Sequence, residues 1–401
     1  RGVPRQVGRG GHHARVPGRA RTVTGMREAW TWPAYTGVLL GTALFLVLFV
    51  PALVWQFRAF GRPSVRRLIT VAAACVFVVA LVAYTLLPLP TGDRATWCAE
   101  HAANHNGDPL QMVRDLRAVR ADVGTRAMLR SVVFLQLAFN VLLFVPFGVL
   151  VRVLTRAGIV VTTLLGALTS LAIEVTQYTG VFGLVGCAYR VGDVDDLLTN
   201  TAGAFAGAVV APLLLHVVPS SSSLATARHL PRPVSSWRRW TGMALDASGA
   251  LAISVGVTVV HRVLLAVGGA SRTEVAGAPE PWLADALPLV LVFALPALIG
   301  SGASWGQRIV WLEPRWSDET RGAALRARTL ARALVVGGLW WVLTSASSFD
   351  ALPDDTVTAL TAAGWLLGAL AVLVVPATRR GLSGLLTRAR VEDARATPAP
   401  V

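Results

Sequence analysis

The chain has 401 residues, of which 54% are hydrophobic and 15% charged, with a mean hydropathy of +0.58 and a formal net charge of +15. A soluble globular chain carries roughly 25% charged residues and seldom strings together the ~20 apolar residues that cross ~30 Å of hydrocarbon. Such runs recur here, which excludes an ordinary soluble enzyme. The basic residues are all arginine and fall between the runs, which argues against a nucleic-acid partner.

Residues 1–25 are rich in Arg and Gly without helical period, and read as a disordered basic leader or an over-extended start, with Met26 as the start. Apolar runs then follow near 34–56, 68–90, 131–151, 158–178, 197–218, 243–267, 285–303, 334–349 and 357–376. The runs are continuous rather than alternating, so they are expected to be helices, which satisfy their own backbone in lipid. The expected fold is all-α: a polytopic membrane protein of about nine transmembrane helices in two bundles, five plus four. A Ser/Pro-rich stretch, 219–236, is expected to link a module at 26–218 to one at 237–390, with a disordered tail at 391–401.

Arginines follow the first span (Arg58, Arg62, Arg66, Arg67), join the third to the fourth (Arg152, Arg156) and crowd the stretches at 228–239 and 308–332. Loop 179–196 instead holds one Arg against Asp193, Asp195 and Asp196, and the turn after the eighth span holds Asp350, Asp354 and Asp355. By the positive-inside rule the expected location is a cell membrane, N-terminus outside and C-terminus cytoplasmic.

Polar groups inside a span cost ~2.5–3.5 kcal/mol each on insertion scales, so they mark bundle interiors or cavities. The third span contains Asn140-V-L-L-Phe144-V-Pro146-F-Gly148, and the fourth ends Glu174-V-T-Gln177, an i, i+3 pair on one helix face. The fifth begins after Arg190-V-G-Asp193-V-Asp195-Asp196 and continues through Asn200, Gly203 and Gly207. Asn140, Glu174, Gln177, Arg190, Asp193, Asp196 and Asn200 are expected to converge on one outward-facing pocket. Pro146, Gly148, Gly203 and Gly207 are expected to pack helices, the last two as a G-x-x-x-G step.

These strings resemble the VanZ family: N-x3-F-x-P-x-G, then E-x2-Q, then R-x2-D-x2-D-x3-N-x2-G-x3-G, in order across residues 140–207. The family is named for low-level resistance to the glycopeptide teicoplanin, so the resemblance implies a cell-envelope role without supplying a reaction. From the residues, three readings stay open. Asp193 and Asp196 could cap the fifth helix while Arg190 pairs with Glu174 and the amides tie helices together. The cluster could bind a polar or lipid-linked envelope precursor, Arg190 offering a fork for phosphate. Or Glu174 could move protons. The motif contains no nucleophile–base pair, no His and no metal-ligand spacing, so catalysis is the least supported, and neither cofactor nor metal is expected.

Cys98 and Cys187 both fall in loops placed on the oxidising side and are expected to form a disulfide; Cys75 lies mid-span. Between them, Cys98-x-Glu100-His101-x2-Asn104-His105 reads as an irregular loop rather than a metal site. Residues 110–130 read as an amphipathic surface helix.

The C-terminal module opens on Arg239-x6-Asp246, carries Gly306-Gln307-Arg308 after a span and approaches the eighth span through an Arg-rich segment to Arg332. This resembles the RDD family, whose members often carry an Asp in the basic tail where this chain has Gly384. Arg239 and Asp246 read either as a local pair neutralising a costly charge or as a coordination site in a membrane pore, in keeping with the transport roles proposed for some RDD-like proteins. The expected partners are the bilayer, a lipid-linked precursor and anionic lipid. The competing function classes are an envelope ligand-binding protein, an ion-coupled carrier using Asp246 and Glu174, and a non-catalytic membrane scaffold.

Overall fold

A computed structural model describes residues 23–90, 92–101, 107–190, 192–317, 321–348, 352–378 and 380–396. The leader through residue 22, Asn104, His105 and Asp350 lie outside the described residues. The helices run α1 (Val23–Phe60), α2 (Val65–Leu86), α3 (Arg94–His101), α4 (Gln111–Met128), α5 (Val132–Thr155), α6 (Ile159–Tyr178), α7 (Val194–Val210), α8 (Pro212–Leu215) and α9 (Ser221–Thr226). They continue through α10 (Ser236–Val267), α11 (Arg272–Gly277), α12 (Leu283–Pro288), α13 (Leu295–Leu298), α14 (Trp305–Ile309), α15 (Gly322–Ala333), α16 (Leu339–Thr344), α17 (Asp354–Thr378) and α18 (Gly381–Thr387). Two strands, β1 (Leu312–Arg315) and β2 (Arg390–Asp393), pair antiparallel with Leu312 opposite Asp393 and Arg315 opposite Arg390. Residues 391–396, expected in a disordered tail, are thus ordered as far as Ala396.

The chain is an all-α, multi-pass membrane protein, but six helices rather than nine are long and apolar enough to cross a bilayer among the described residues. These are Thr31–Phe60, Val65–Leu86, Val132–Thr155, Ile159–Tyr178, Ser236–Val267 and Asp354–Thr378. The other three expected spans are shorter or broken. Pro212, which has no N–H to donate, follows the end of α7 at Val210. The seventh run is a composite of α12, a π-helical turn at Leu289–Ala294 and α13, with Pro288 and Pro296 at the joins. The eighth is another π turn, Leu334–Gly338, leading into α16.

Contacts divide the chain into two compact units. Among the described residues the first holds those up to Leu44, Ala72–Val149 and Gly158–Val209; the second holds Phe45–Val71, Leu150–Ala157 and those from Val210 onward. In the first, Leu81, Phe144, Ile173 and Ala204 form a core drawn from α2, α5, α6 and α7. Small residues set the spacing: a Cβ at Gly41 would lie 2.4 Å from Val76 Cα, and one at Gly166 2.3 Å from Ala204 Cβ. Leu142, Val160, Leu164 and Leu168 point outward, where hydrocarbon rather than water suits them.

In the second unit, Phe57, Leu245, Val310, Leu312 and Val391 form one core, and Ala250, Val292, Phe293 and Trp341 another. Its α10 starts at a Ser235 cap whose side chain accepts from Arg238 N–H. Ser304 and Gln307 form a capping box that starts α14, so the Gly306-Gln307-Arg308 string is a helix start.

Candidate functional site

The polar residues of the third, fourth and fifth spans lie within the first unit, and their geometry begins at the end of α2. The last four carbonyls of a helix have no partner in the helix itself. At the end of α2, Arg190 Nη1 donates to Tyr84 O (3.2 Å), Gln177 Nε2 to Thr85 O (2.7 Å) and the Tyr189 hydroxyl to Leu86 O (3.1 Å). Arg190 Nη2 adds a bond to Leu87 O (2.6 Å). The fork that sequence reading offers to a phosphate is thus occupied by backbone, with the cation at the negative end of a helix. Burial lowers the Arg190 pKa from its usual value.

The acids do different work. Glu174, 9% exposed, accepts from the Asp193 N–H at 2.9 Å and makes no ion pair with Arg190. Asp193 accepts from the Asp195 N–H (2.8 Å) and so caps α7, as one sequence reading expects. Asp196 accepts from Asn140 Nδ2, which ties α7 to α5. Asn200 donates to Ser170 Oγ at 2.9 Å, tying α7 to α6, while its own Oδ1 is buried without a partner.

Sequence reading missed Asp195 as a site residue. At 2% exposed it accepts from the Leu110 and Met112 N–H groups, at 2.6 and 2.8 Å. Leu110 has no capping side chain of its own, so this carboxylate from another helix caps the amphipathic α4. Neighbouring helical residues point ~100° apart, which is why Asp195 and Asp196 reach different partners.

Cys98 and Cys187 are disulfide-bonded, with Cα atoms 5.8 Å apart, which joins α3 to the loop before α7. Unfolded without reductant, the protein should take up one alkyl group, at Cys75, and three after reduction. A larger first count, read by intact mass, would exclude the bond.

The helix-packing residues sit against carbonyls. A Cβ at Gly148 would lie 2.1 Å from Ala204 O, at Gly203 2.2 Å from Val141 O and at Gly207 2.0 Å from Val145 O. Pro146 lies inside α5 with its ring exposed.

In the second unit Asp246 accepts from Ser304 Oγ (2.6 Å) and the Gly306 N–H (2.7 Å), and Arg239 is not among its partners. The guanidinium whose charge acts on Asp246 is that of buried Arg332. The local Arg239–Asp246 pair is therefore absent.

Residues 74–215 match the VanZ/LLP1 family model. No curated protein matches the chain, and no solved structure does. The VanZ-like segment takes in α5, α6, α7, the capped end of α2 and every residue of the acid–amide cluster. Among the described residues, no group of three or more His, Cys, Asp or Glu is placed to hold a metal ion.

Proposed function

We propose that this VanZ-like membrane protein works in the cell envelope, where the acid–amide cluster of α5, α6 and α7 receives the polar headgroup of a lipid-linked or glycopeptide-related ligand. The carrying observation is two carboxylates without a counter-charge beside one buried acceptor without a donor. Glu174 and Asp196 meet only neutral donors, Asp193 N–H and Asn140 Nδ2, and make no ion pair among the described residues; Asn200 Oδ1 has no donor at all. A buried acceptor left without a donor, as Asn200 Oδ1 is, costs about 1–3 kcal/mol, which a donor-rich ligand would recover. With Arg190 committed to carbonyls, the ligand chemistry shifts from phosphate toward sugar hydroxyls, amides and amines. The disulfide between α3 and the loop before α7 supports an outward-facing site, because such bonds persist on the oxidising side. The N-terminus would then be outside. In the same reading the second unit is an RDD-like module.

The test is binding of teicoplanin and of a polyprenyl-linked disaccharide to the purified full chain in nanodiscs. Glu174→Gln and Asp196→Asn should each weaken one of these about tenfold, the size of one lost charge-assisted bond. Unchanged affinity in both folded variants would sink the reading. Carboxylates without a counter-charge also suit a proton- or cation-coupled carrier. Flux in proteoliposomes that is lost in Glu174→Gln, with no ligand binding, would favour that alternative.

A further inference from the structure

The second unit holds an excess of guanidinium that its own acids do not match. Arg58, Arg228 and Arg395 all stand over the ring of Trp311, at 4.8, 5.6 and 5.2 Å from its centroid. The one buried carboxylate nearby, Asp393, is taken by Arg395 at 2.7 Å, Arg238 at 2.9 Å and the Arg232 N–H at 3.1 Å. Glu313 and Glu392 face Arg315 instead. Among the described residues Arg62 and Arg228 have no carboxylate partner, Arg232 shares Asp393 with Arg238 and Arg395, and the Nε atoms of Arg228 and Arg232 are buried with no hydrogen bond. At Gly61 a Cβ would lie 2.6 Å from Arg395 Nη1 and 2.8 Å from Arg228 O, the carbonyl to which that Nη1 donates at 2.7 Å. Burial lowers the Arg232 pKa first, and repulsion from Arg62 and Arg395 adds to it against the opposing pull of Asp393.

A cavity of about 340 Å³ opens beside this excess. Arg62, Ser64 and Arg66 supply its polar wall, and Val65, Pro219 and Leu224 its apolar one. Val65 opens α2, so the positive end of that helix adds to the same field. Arg66 is steadied by its bond to Val217 O (3.0 Å), while Arg62 is exposed and uncommitted. The volume is about ten times the ~30 Å³ share of one water, room for a headgroup with its first carbons rather than a bare ion.

We propose that this cavity binds the phosphate group of an anionic lipid, held by Arg62 and Arg66 with the charges of Arg228 and Arg232 nearby. Basic pockets between membrane helices bind such headgroups, and a mixed polar and apolar wall suits a phosphodiester that continues into glycerol. The inference is independent of the acid–amide cluster and of which face that cluster occupies.

The test uses the purified full chain in detergent, with retained lipid read by native mass spectrometry. Phosphatidylglycerol should be retained at least tenfold better than phosphatidylcholine. Arg62→Gln, at an exposed position, should cut that retention several-fold without altering the circular dichroism. Arg62→Glu combined with Arg232→Gln should reduce it to the phosphatidylcholine level. Millimolar inorganic phosphate should leave the bound phosphatidylglycerol in place. Equal retention of the two lipids, or unchanged retention in Arg62→Gln and in the double variant, would overturn the proposal. So would displacement by inorganic phosphate, since the site would then take a free anion.

Discussion

Replacing Asp393 with asparagine is expected to cost about 3–5 kcal/mol, because it leaves two buried guanidiniums facing each other without a counter-charge. Asp393 is 5% exposed and accepts from Arg395 Nε (2.9 Å), Arg395 Nη2 (2.7 Å), the Arg395 N–H (2.9 Å) and the Arg232 N–H (3.1 Å), with Arg238 Nη2 at 2.9 Å. Arg238 in turn donates to the carbonyls of Arg232, Pro233, Val310 and Trp311. One carboxylate therefore joins the segment before α10, the end of α14, the start of β1 and the end of β2. Burial by itself would raise its pKa, but the Arg395 bonds, the Arg232 N–H and the charge of Arg238 outweigh that and hold it at about 2, below its ordinary 3.8.

The sign of the pH dependence follows. A folded-state pKa below the unfolded one means the contribution is complete above about pH 4 and is lost as pH falls toward 2. Its size is about 2 kcal/mol from the depression of the pKa. Thermal unfolding in detergent should show Asp393→Asn already destabilised at pH 7, with a shallower loss between pH 4 and 2 than the parent. A variant whose midpoint falls in parallel with the parent across that range would show that Asp393 is not the group responsible.

How much of this could be read from the residues differs between the two units. The α5–α7 cluster was legible because its signal is local: Glu174 and Gln177 share a helix face by spacing alone, and Gly203 and Gly207 do likewise. Its wiring was not. Arg190 reads equally well as a partner for Glu174, yet the unpaired carbonyls at the end of α2, more than 100 residues earlier, take it instead. Asp195 looks like one more acid in a D-V-D-D string until α4 is seen to need a cap. The second unit hid more. Arg238 and Arg239 are adjacent in sequence, but a helix turns ~100° between them, and it is Arg238 that meets a carboxylate. That carboxylate lies in a four-residue strand whose partner strand is far away in the chain, and four residues are too few to show a period. The shorter spans have a simpler cause. Hydropathy registers Leu289–Ala294 and Leu334–Gly338 as apolar without registering that each is a π-helical turn within a helix, the first inside the short apolar helix Leu283–Leu298.

Gly203→Ala and Gly207→Ala are each expected to destabilise the VanZ-like domain by about 1–3 kcal/mol, as overpacking does in a close-fitted core. The ideal Cβ positions fall 2.2 Å from Val141 O and 2.0 Å from Val145 O, both backbone atoms that yield only if α5 and α7 move apart. Val141 and Val145 are one helical turn apart on α5, as Gly203 and Gly207 are on α7. Two successive glycines thus lie on two successive carbonyls, a setting in which Cα–H···O contacts add a little to the packing. Helix propensity works the other way, since alanine is favoured over glycine by up to about 1 kcal/mol in a helix. The same chain supplies the control: Gly249 and Gly256 lie in α10 with nothing within 4 Å of their Cβ positions. Alanine there should be neutral or stabilising, so the sign of the effect separates packing from propensity. Gly148 adds a coupling test, because a Cβ at Gly207 would also lie 3.1 Å from Gly148 Cα. The Gly148→Ala/Gly207→Ala double variant should therefore cost less than the sum of its parts, the first having already moved the helices apart. That movement reaches the candidate site as well. Asn140 precedes Val141 on α5 and donates to Asp196 on α7, so spreading the two helices at Gly203 stretches that bond first. Gly203→Ala should lower ligand affinity together with stability, whereas Gly249→Ala should change neither downward. Equal effects at Gly203 and Gly249 would show that the spacing of α5 and α7 does not set the geometry of the cluster.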